Sequence, residues 1–469
     1  MQQKLFAKIP AVDSVLQSEK LKTEFAEIDP SFLAYCVRTV LESLRQEIGK
    51  KPGEYDGVDR EQFLQKSVEM SREKINSLLG FSLRRIVNAT GVILHTGLGR
   101  APLAESAQKN VSEVIKNYAN VELNLADGKR GERQNHVQEL LCYLTEAQAA
   151  AVVNNNAGAV LLALNTLAKG KEVIISRGQL IEIGGSFRLP DVMAQSGAIM
   201  KEVGTTNKTH LRDYENAVTE NTGAILVAHS SNYRIMGFTK EAAIADLVGL
   251  SHKYNIPLIY DLGGGVFLDL AGFGLPHEPV VAENVKLGVD VVTFSGDKVL
   301  GGPQSGILVG EKAAITAIRK NALMRALRCD KLIYAALEAT LKLYLQPERR
   351  TRELPAFRML LETIEQQRDR ARRLLSIVKT KVAGIMSLKM EEGSSQIGSG
   401  ALPLAEIPSI VLRIDSAKYT AMEIAGQFRQ GGEAVVGTIR DDGFYLNFRT
   451  IRDDEIDIIA EKIIGLKNV

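Results

Sequence analysis

Little in this chain favours a disulfide framework, a metal centre or a membrane. Its three cysteines, Cys36, Cys142 and Cys329, are scattered with no paired or metal-ligand spacing, which predicts free thiols in a reducing, cytoplasmic setting. The same scarcity argues against a cysteine nucleophile, although Cys329 follows a basic segment. The six histidines form no HExxH-like or clustered pattern, so no metal site is expected. No apolar run approaches the ~20 residues a membrane-crossing helix needs. The N-terminal Met-Gln-Gln-Lys-Leu-Phe-Ala-Lys lacks the apolar stretch of a secretion signal. Basic and acidic residues nearly cancel, 58 against 56, so a nucleic-acid partner would have to be met by a local patch.

What is present is an ordinary globular composition, 45% hydrophobic and 24% charged, spread over 469 residues, enough for two or three cores. Residues 1–82 read as a helical module. Its first long helix carries apolar residues at three-to-four spacing through Ser31–Arg45, and a second covers Phe63–Leu79 after the polar Lys50-Lys51-Pro52-Gly53. Residues 83–335 alternate strands and helices. Apolar strands are predicted at Glu172–Ser176, Ala198–Val203, Ala224–His229, Pro257–Asp261 and Val289–Phe294, with a helix over Lys240–Tyr254. Continuous apolar strands between helices predict an α/β domain whose mostly parallel sheet is covered on both faces. Residues 336–469 read as a smaller α/β domain: a long helix over Phe357–Lys381, strands at Ser409–Ile414 and Phe444–Arg449, and a closing amphipathic helix.

The chemistry concentrates at three predicted strand ends. Val291-Val-Thr-Phe-Ser-Gly-Asp-Lys298 runs into Gly301-Gly-Pro-Gln-Ser-Gly306, an apolar strand ending in a turn with one lysine among small residues. An amine held away from water loses its proton more readily and becomes a nucleophile suited to a Schiff base. Pro257-Leu-Ile-Tyr-Asp261 ends in a carboxylate that can keep a pyridine nitrogen protonated. Together, Lys298 and Asp261 form the expected pattern for pyridoxal phosphate (PLP). Ala224–His229, followed by Ser230-Ser231-Asn232-Tyr233, offers the Asn232 amide for the cofactor's phenolic oxygen. Ligands of open α/β sheets bind at this carboxyl edge. Asn154-Asn155-Asn156-Ala157-Gly158 opens a helix, and its free N–H groups make a phosphate seat to which Ser295 could add a hydroxyl.

Two arginine features fit no cofactor role. Arg325 and Arg328 stand at i and i+3 in what reads as a helix, and Arg100 sits in the turn His95-Thr-Gly-Leu-Gly-Arg-Ala-Pro102. Guanidinium forks match phosphate oxygens, so their convergence would make a second anion site. An ordinary solvated helix face is the alternative for the pair.

Asn88–Pro102, Lys129-Arg-Gly-Glu-Arg133, Val153–Ala157, Ser231–Phe238, Ser295–Gly306 and Arg325–Lys331 together resemble the bacterial selenocysteine synthases, the L-seryl-tRNA(Sec) selenium transferases. The likeness covers nearly the whole chain. It implies a PLP enzyme of the aspartate-aminotransferase fold type (fold type I) that converts seryl-tRNA(Sec) to selenocysteinyl-tRNA(Sec) through a dehydroalanyl (aminoacrylyl) intermediate, with selenophosphate as selenium donor.

In that reading Lys298 carries PLP and then serves as acid/base at Cα, and Asp297 assists proton traffic. Arg100, Arg325 and Arg328 hold the donor's phosphate. The resemblance also implies that the N-terminal module recognises the tRNA and that dimers assemble into a ring, a homodecamer. Lys20, Lys22, Lys50 and Lys51 are its candidate phosphate contacts. Arg440 and Arg449 are candidates for the seryl ester or acceptor stem, with structural salt bridges as the equal alternative. The rival reading is a PLP lyase or aldolase-type enzyme acting on a phosphorylated sugar acid, and a second is an RNA-binding scaffold without catalysis.

Overall fold

Aspartate caps begin both long helices near the N-terminus. Asp29 accepts from the Ser31 N–H at the start of α1 (Pro30–Lys50), and Asp59 with Gln62 forms a reciprocal capping box at the start of α2 (Arg60–Leu79). α1 buries Val37, Leu41, Leu44 and Ile48, the stripe its sequence spacing predicts, and α2 answers with Phe63, Val68 and Ile75. These helices belong to one of two units in the computed structural model, Met1–Arg85; the other is Ile86–Val469. The structure describes residues 2–183, 187–230, 233, 235–399 and 401–466. Among them, no helix is long and apolar enough to cross a membrane.

The second unit is built on a seven-stranded sheet. In chain order its strands are β1 (Ala149–Val153), β2 (Glu172–Ser176), β3 (Ile199–Val203), β4 (Thr222–Ala228), β5 (Leu258–Gly263), β6 (Val291–Ser295) and β7 (Gly306–Gly310). Their spatial order is β1-β7-β6-β5-β4-β2-β3, and β7 alone runs antiparallel to both neighbours. The alternation along each strand divides two cores between the faces. Ala150 and Val152 of β1 join one, while Ala149, Ala151 and Val153 join the other. Both faces are covered, which is why the strands read as unbroken apolar runs.

A four-stranded antiparallel sheet lies toward the C-terminus: β8 (Met386–Gly398), β9 (Ala401–Ser416), β10 (Thr438–Arg440) and β11 (Gly443–Asn447), in the order β8-β9-β11-β10. Its separate core includes Leu412, Phe428, Phe444 and Ile459. The short strand Ile86–Asn88, expected at the start of the large domain, pairs in parallel with Ala434–Val436, and Val87 and Ala89 are buried in this C-terminal core.

Two predicted helices differ in extent. The helix expected from Lys240 begins at Ile244, because the Lys240 N–H is taken by Asn207 O and the residue bridges to Lys208. The stretch Phe357–Lys381 is two helices, Pro355–Leu361 and Ile364–Val378. Between them, Thr363 and Gln366 cap the second helix. Buried Arg449 draws on the carbonyls that the break leaves over, those of Met359 (2.8 Å), Glu362 (3.2 Å) and, from β9, Pro408 (2.5 Å). Arg449 is thus a structural residue. Arg440 is exposed, with its guanidinium over the Tyr445 ring.

Replacing Arg449 with Ala strands several buried carbonyls without donors. The expected loss is about 3 kcal/mol, measured as a lowered urea midpoint. A shift too small to resolve would show that the arginine does not hold this junction.

Candidate active site

The register of three adjacent parallel strands sets the site. Ala228 of β4 lies beside Asp261 of β5, which lies beside Thr293 of β6. Asp261 therefore stands at the carboxyl edge, with Lys298 in the turn just beyond β6. Backbone bonds close that turn: Gly296 N–H to Ser305 O (2.9 Å), Gly301 N–H to Lys298 O (2.9 Å) and Gly302 N–H to Gly296 O (2.8 Å). β7 approaches so closely that a Cβ on Gly306 would fall 2.0 Å from Asn155 O. Only glycine fits there.

Asp261 and Lys298 are both almost fully buried. Three donors converge on Asp261 Oδ1: Asn156 Nδ2 (2.7 Å), Thr293 Oγ1 (3.1 Å) and Gly263 N–H (3.2 Å). Oδ2 takes no hydrogen bond from the described residues, and neither does Lys298 Nζ give one. Burial pushes the Asp261 carboxyl up, against its three donors and the nearby lysine. Burial likewise lowers the Lys298 amine from its ordinary 10.5, opposed by Asp261 and assisted by the positive charge of Arg100. The lysine is thus biased toward its neutral, nucleophilic form.

The expected phosphate seat is present, but its donors are shared out differently. α3 (Asn156–Leu167) begins where predicted, and Asn155 caps it by accepting from the Gly158 N–H (2.8 Å). Gly158's donor is consumed, which leaves the Asn156 and Ala157 N–H groups at the helix start. The Asn156 side chain points to Asp261, not to the seat. Its Oδ1 is buried without a partner among the described residues. Ser295 closes β6, and its hydroxyl makes no hydrogen bond to the described residues. Asn232 lies outside the described residues.

Arg100 follows Gly99 in a left-handed turn (φ 88° and 61°). That turn lays the guanidinium on Asp297, Nη1 to Oδ2 at 2.7 Å, one residue from the lysine. Arg325 and Arg328 lie elsewhere. They border a 440 Å³ pocket with Arg130, Arg133, Arg319 and Glu122, and Arg100 is not part of its lining. The two do not share a helix face, because α4 (Leu323–Leu327) ends before Arg328, whose extended backbone bridges to Val153. Glu122 accepts from Arg130 and Arg133 (both 2.8 Å) and Arg328 (3.3 Å), whereas the Arg325 side chain has no partner among the described residues. Cys329 is buried, and its thiol is pushed up to about 12, chiefly by burial. It is no nucleophile at neutral pH.

Residues 86–452 match the family described as SelA: L-seryl-tRNA selenium transferase. The chain belongs to that family. It is 46% identical over 461 residues to the L-seryl-tRNA(Sec) selenium transferase of Geobacter sulfurreducens and 43% identical over 458 residues to that of Alkaliphilus oremlandii, in each case across 98% of both chains. Among solved structures, D-glucosaminate-6-phosphate ammonia-lyase superposes with a TM-score of 0.56 at 21% identity, covering 84% of this chain and 99% of that one. That likeness concerns the fold, which is fold type I of the PLP-dependent enzymes.

Reading residues alone missed how Asp261 is held in this family member. Thr293 alternates with Val292 and Phe294 on a strand, so its sequence signal is that of any strand threonine. His229, at the end of β4, bonds Glu278 (3.2 Å), a buried carboxylate whose charge also favours the Lys298 ammonium.

Removing Arg100 takes a repelling charge from the lysine and frees the carboxylate of Asp297, and both changes favour the ammonium. Arg100→Ala is therefore expected to raise the pH midpoint at which Lys298 captures PLP, read by visible absorbance. An unmoved midpoint would show that the arginine does not act on the amine.

Proposed function

We infer that this protein is a PLP-dependent L-seryl-tRNA(Sec) selenium transferase: it takes serine esterified to tRNA(Sec), breaks the β C–O bond with loss of the hydroxyl as water, and forms a C–Se bond with selenium from selenophosphate, whose Se–P bond is hydrolysed to release phosphate. The observation that carries the reading is the joint burial of Lys298 and Asp261 at one sheet edge, in a chain that matches the named relatives over nearly its full length. The site's chemistry fits the cofactor. A neutral-biased amine, a carboxylate oxygen and two helix-start N–H groups that no described residue engages supply an attachment point, a ring-nitrogen partner and a phosphate seat.

When bound, PLP supplies an electron sink for the bonds at the serine Cα. Lys298 would hold the cofactor covalently, and its amine is placed to move the proton at the serine Cα. Asp261, fixed by Asn156 and Thr293, keeps the ring-nitrogen proton in place. The Asn156, Ala157 and Ser295 groups hold the phosphate, with the Gly158 N–H committed to the cap. Asn232 is the partner for the phenolic oxygen. Asp297, tied to Arg100, is placed as a proton acceptor beside the lysine. Arg325 and Arg328 bind the donor's phosphate; in a single chain Arg100 contacts Asp297 instead of that pocket, so a clamp of all three would need rearrangement or a second chain.

The N-terminal unit serves tRNA recognition. Of its candidate contacts, Lys20 is paired with Glu69 (2.5 Å) and Lys51 with Glu54 (3.0 Å), exposed pairs that a phosphate can displace. Recognition by shape and backbone suits folded RNA. The working form is a cytoplasmic homo-oligomer of dimers, a ring of ten in this reading. Its support in one chain is the exposure of Tyr118, Leu125, Met236 and Phe238. A lyase acting on a phosphorylated sugar acid is the weaker reading, since the likeness to such an enzyme is one of fold.

Incubating the protein with PLP, seryl-tRNA(Sec) and selenophosphate, then identifying the esterified amino acid, tests the activity. Selenocysteine is expected, and unchanged serine would refute it. Lys298→Ala should lower turnover by more than about 10³-fold and abolish the PLP absorbance. Arg325→Ala should raise the donor KM about tenfold or more while leaving seryl-tRNA affinity unchanged. Removing Met1–Arg85 should spare PLP capture and cost tRNA affinity; unchanged tRNA binding would move recognition into the core.

A further inference from the structure

One cleft among the described residues shares nothing with the Lys298 site or the Arg325 pocket. Its volume is about 600 Å³, and it is bordered by Arg352 of the helix Pro347–Glu353, Arg358 of the helix Pro355–Leu361, Arg370 and Arg373 of the helix Ile364–Val378, and Asp453. Four guanidinium groups meet three carboxylates there, those of Glu362, Asp369 and Asp453, and the way they pair decides what the cleft can take.

Each carboxylate already has a cation of its own. Glu362 is gripped by both terminal nitrogens of Arg370, with Nη1 to Oε1 at 2.5 Å, and the pair is buried. Asp453 is held by Arg373, through its carboxylate at 3.6 Å and its carbonyl at 2.5 Å. Asp369 turns to Arg372 (3.3 Å). Arg352 and Arg358 are left over. Arg358 has no side-chain partner among the described residues. Among the described residues Arg352 reaches its neighbour Glu353 alone (3.1 Å), a carboxylate that Arg349 already engages through two nitrogens (2.9 and 3.0 Å).

A further donor is buried at the same place. Arg370 is only 6% exposed, and its Nε is shut off from water with no acceptor among the described residues. An unpaired buried N–H is costly, and in a native fold it calls for a partner, an ion or an ordered water among them. Surplus guanidinium groups on two successive helices, with a third arginine short of an acceptor, match the oxygens of a phosphate better than any neutral group. Asp369 and Asp453 repel any anion on their side of the cleft and leave the Arg352–Arg358 wall as the place where negative charge gains most.

We propose that this cleft is a second phosphate-binding site, distinct from the Lys298 centre, which takes a phosphodiester of the tRNA or a free phosphate compound on Arg352 and Arg358. The chemistry is the same in both cases, and the two sources separate by experiment. Nothing in the proposal depends on selenium transfer.

The test uses the full-length protein and the double variant Arg352→Gln/Arg358→Gln, with Arg352→Lys/Arg358→Lys as a charge-keeping control. Binding of uncharged tRNA is measured across a salt series, and binding of pyrophosphate by calorimetry. PLP capture at Lys298 and the thermal midpoint report whether the fold is intact. If the tRNA supplies the phosphate, the Gln variant binds tRNA several-fold more weakly, and its salt slope falls by about one for each arginine–phosphate pair removed. The Lys variant recovers most of that slope.

If a free phosphate compound is the ligand, the Gln variant binds one pyrophosphate fewer per chain than the parent, with the Lys298 and Arg325 sites untouched, while the tRNA slope is unchanged. A Gln variant that matches the parent in both measurements, with PLP capture intact, overturns the proposal. Failure of the selenium-transfer assay would leave these readouts untouched, so the two ideas fall separately.

Discussion

Everything in the catalytic half of this chain depends on keeping an acid and an amine out of water at the end of one sheet. Burial disfavours the charge on each, and each favours the charge on the other. The balance is settled by what else touches them. Asn156, Thr293 and Gly263 all donate to a single carboxylate oxygen, fixing its orientation, while the lysine's own loop is tied by its backbone and its amine is engaged by none of the described residues. Such an arrangement survives only on a rigid frame. The unbroken apolar strands on either side, packed on both faces, provide it.

The strand ends could be read from the sequence because apolar runs break into polar residues at recognisable places. Asp261 and Lys298 stand out for that reason. Register could not be read. Nothing local to Asn156 announces that its amide will meet a carboxylate 105 positions away, so it passes for part of a helix start, and Gly158 for a free donor when Asn155 has already used it. Arg328 illustrates the opposite error. Its spacing from Arg325 is helical, but bridging to Val153 is a tertiary event that overrides the local pattern. The first strand of the long hairpin, β8, is poorly marked because Lys389, Glu391, Glu392 and Ser394 give it the look of a solvated loop.

Charge shows the same division between what is local and what is not. A net charge of +2 suggests blandness, yet the arginines are gathered into pockets where carboxylates meet most of them. Glu122 bridges three guanidinium groups and Glu362 takes both terminal nitrogens of a buried one. Those pairs hold loops and helices in register at a desolvation cost. The guanidinium groups of Arg325 and Arg358 are different, since neither has a partner among the described residues. Counting charges along a sequence cannot separate the two kinds.

The strand Ile86–Asn88 carries a consequence for how the chain comes to be folded. Its hydrogen-bonded neighbour, Ala434–Val436, follows far later in the chain, with the whole seven-stranded sheet encoded between them. Val87 and Ala89 must therefore wait, uncovered, while the intervening chain is synthesised. Closing so distant a pairing is slow, because the entropy of the intervening loop must be met before any packing offsets it. The core that holds this pair is thus completed only after the sheet encoded between its two strands has been made.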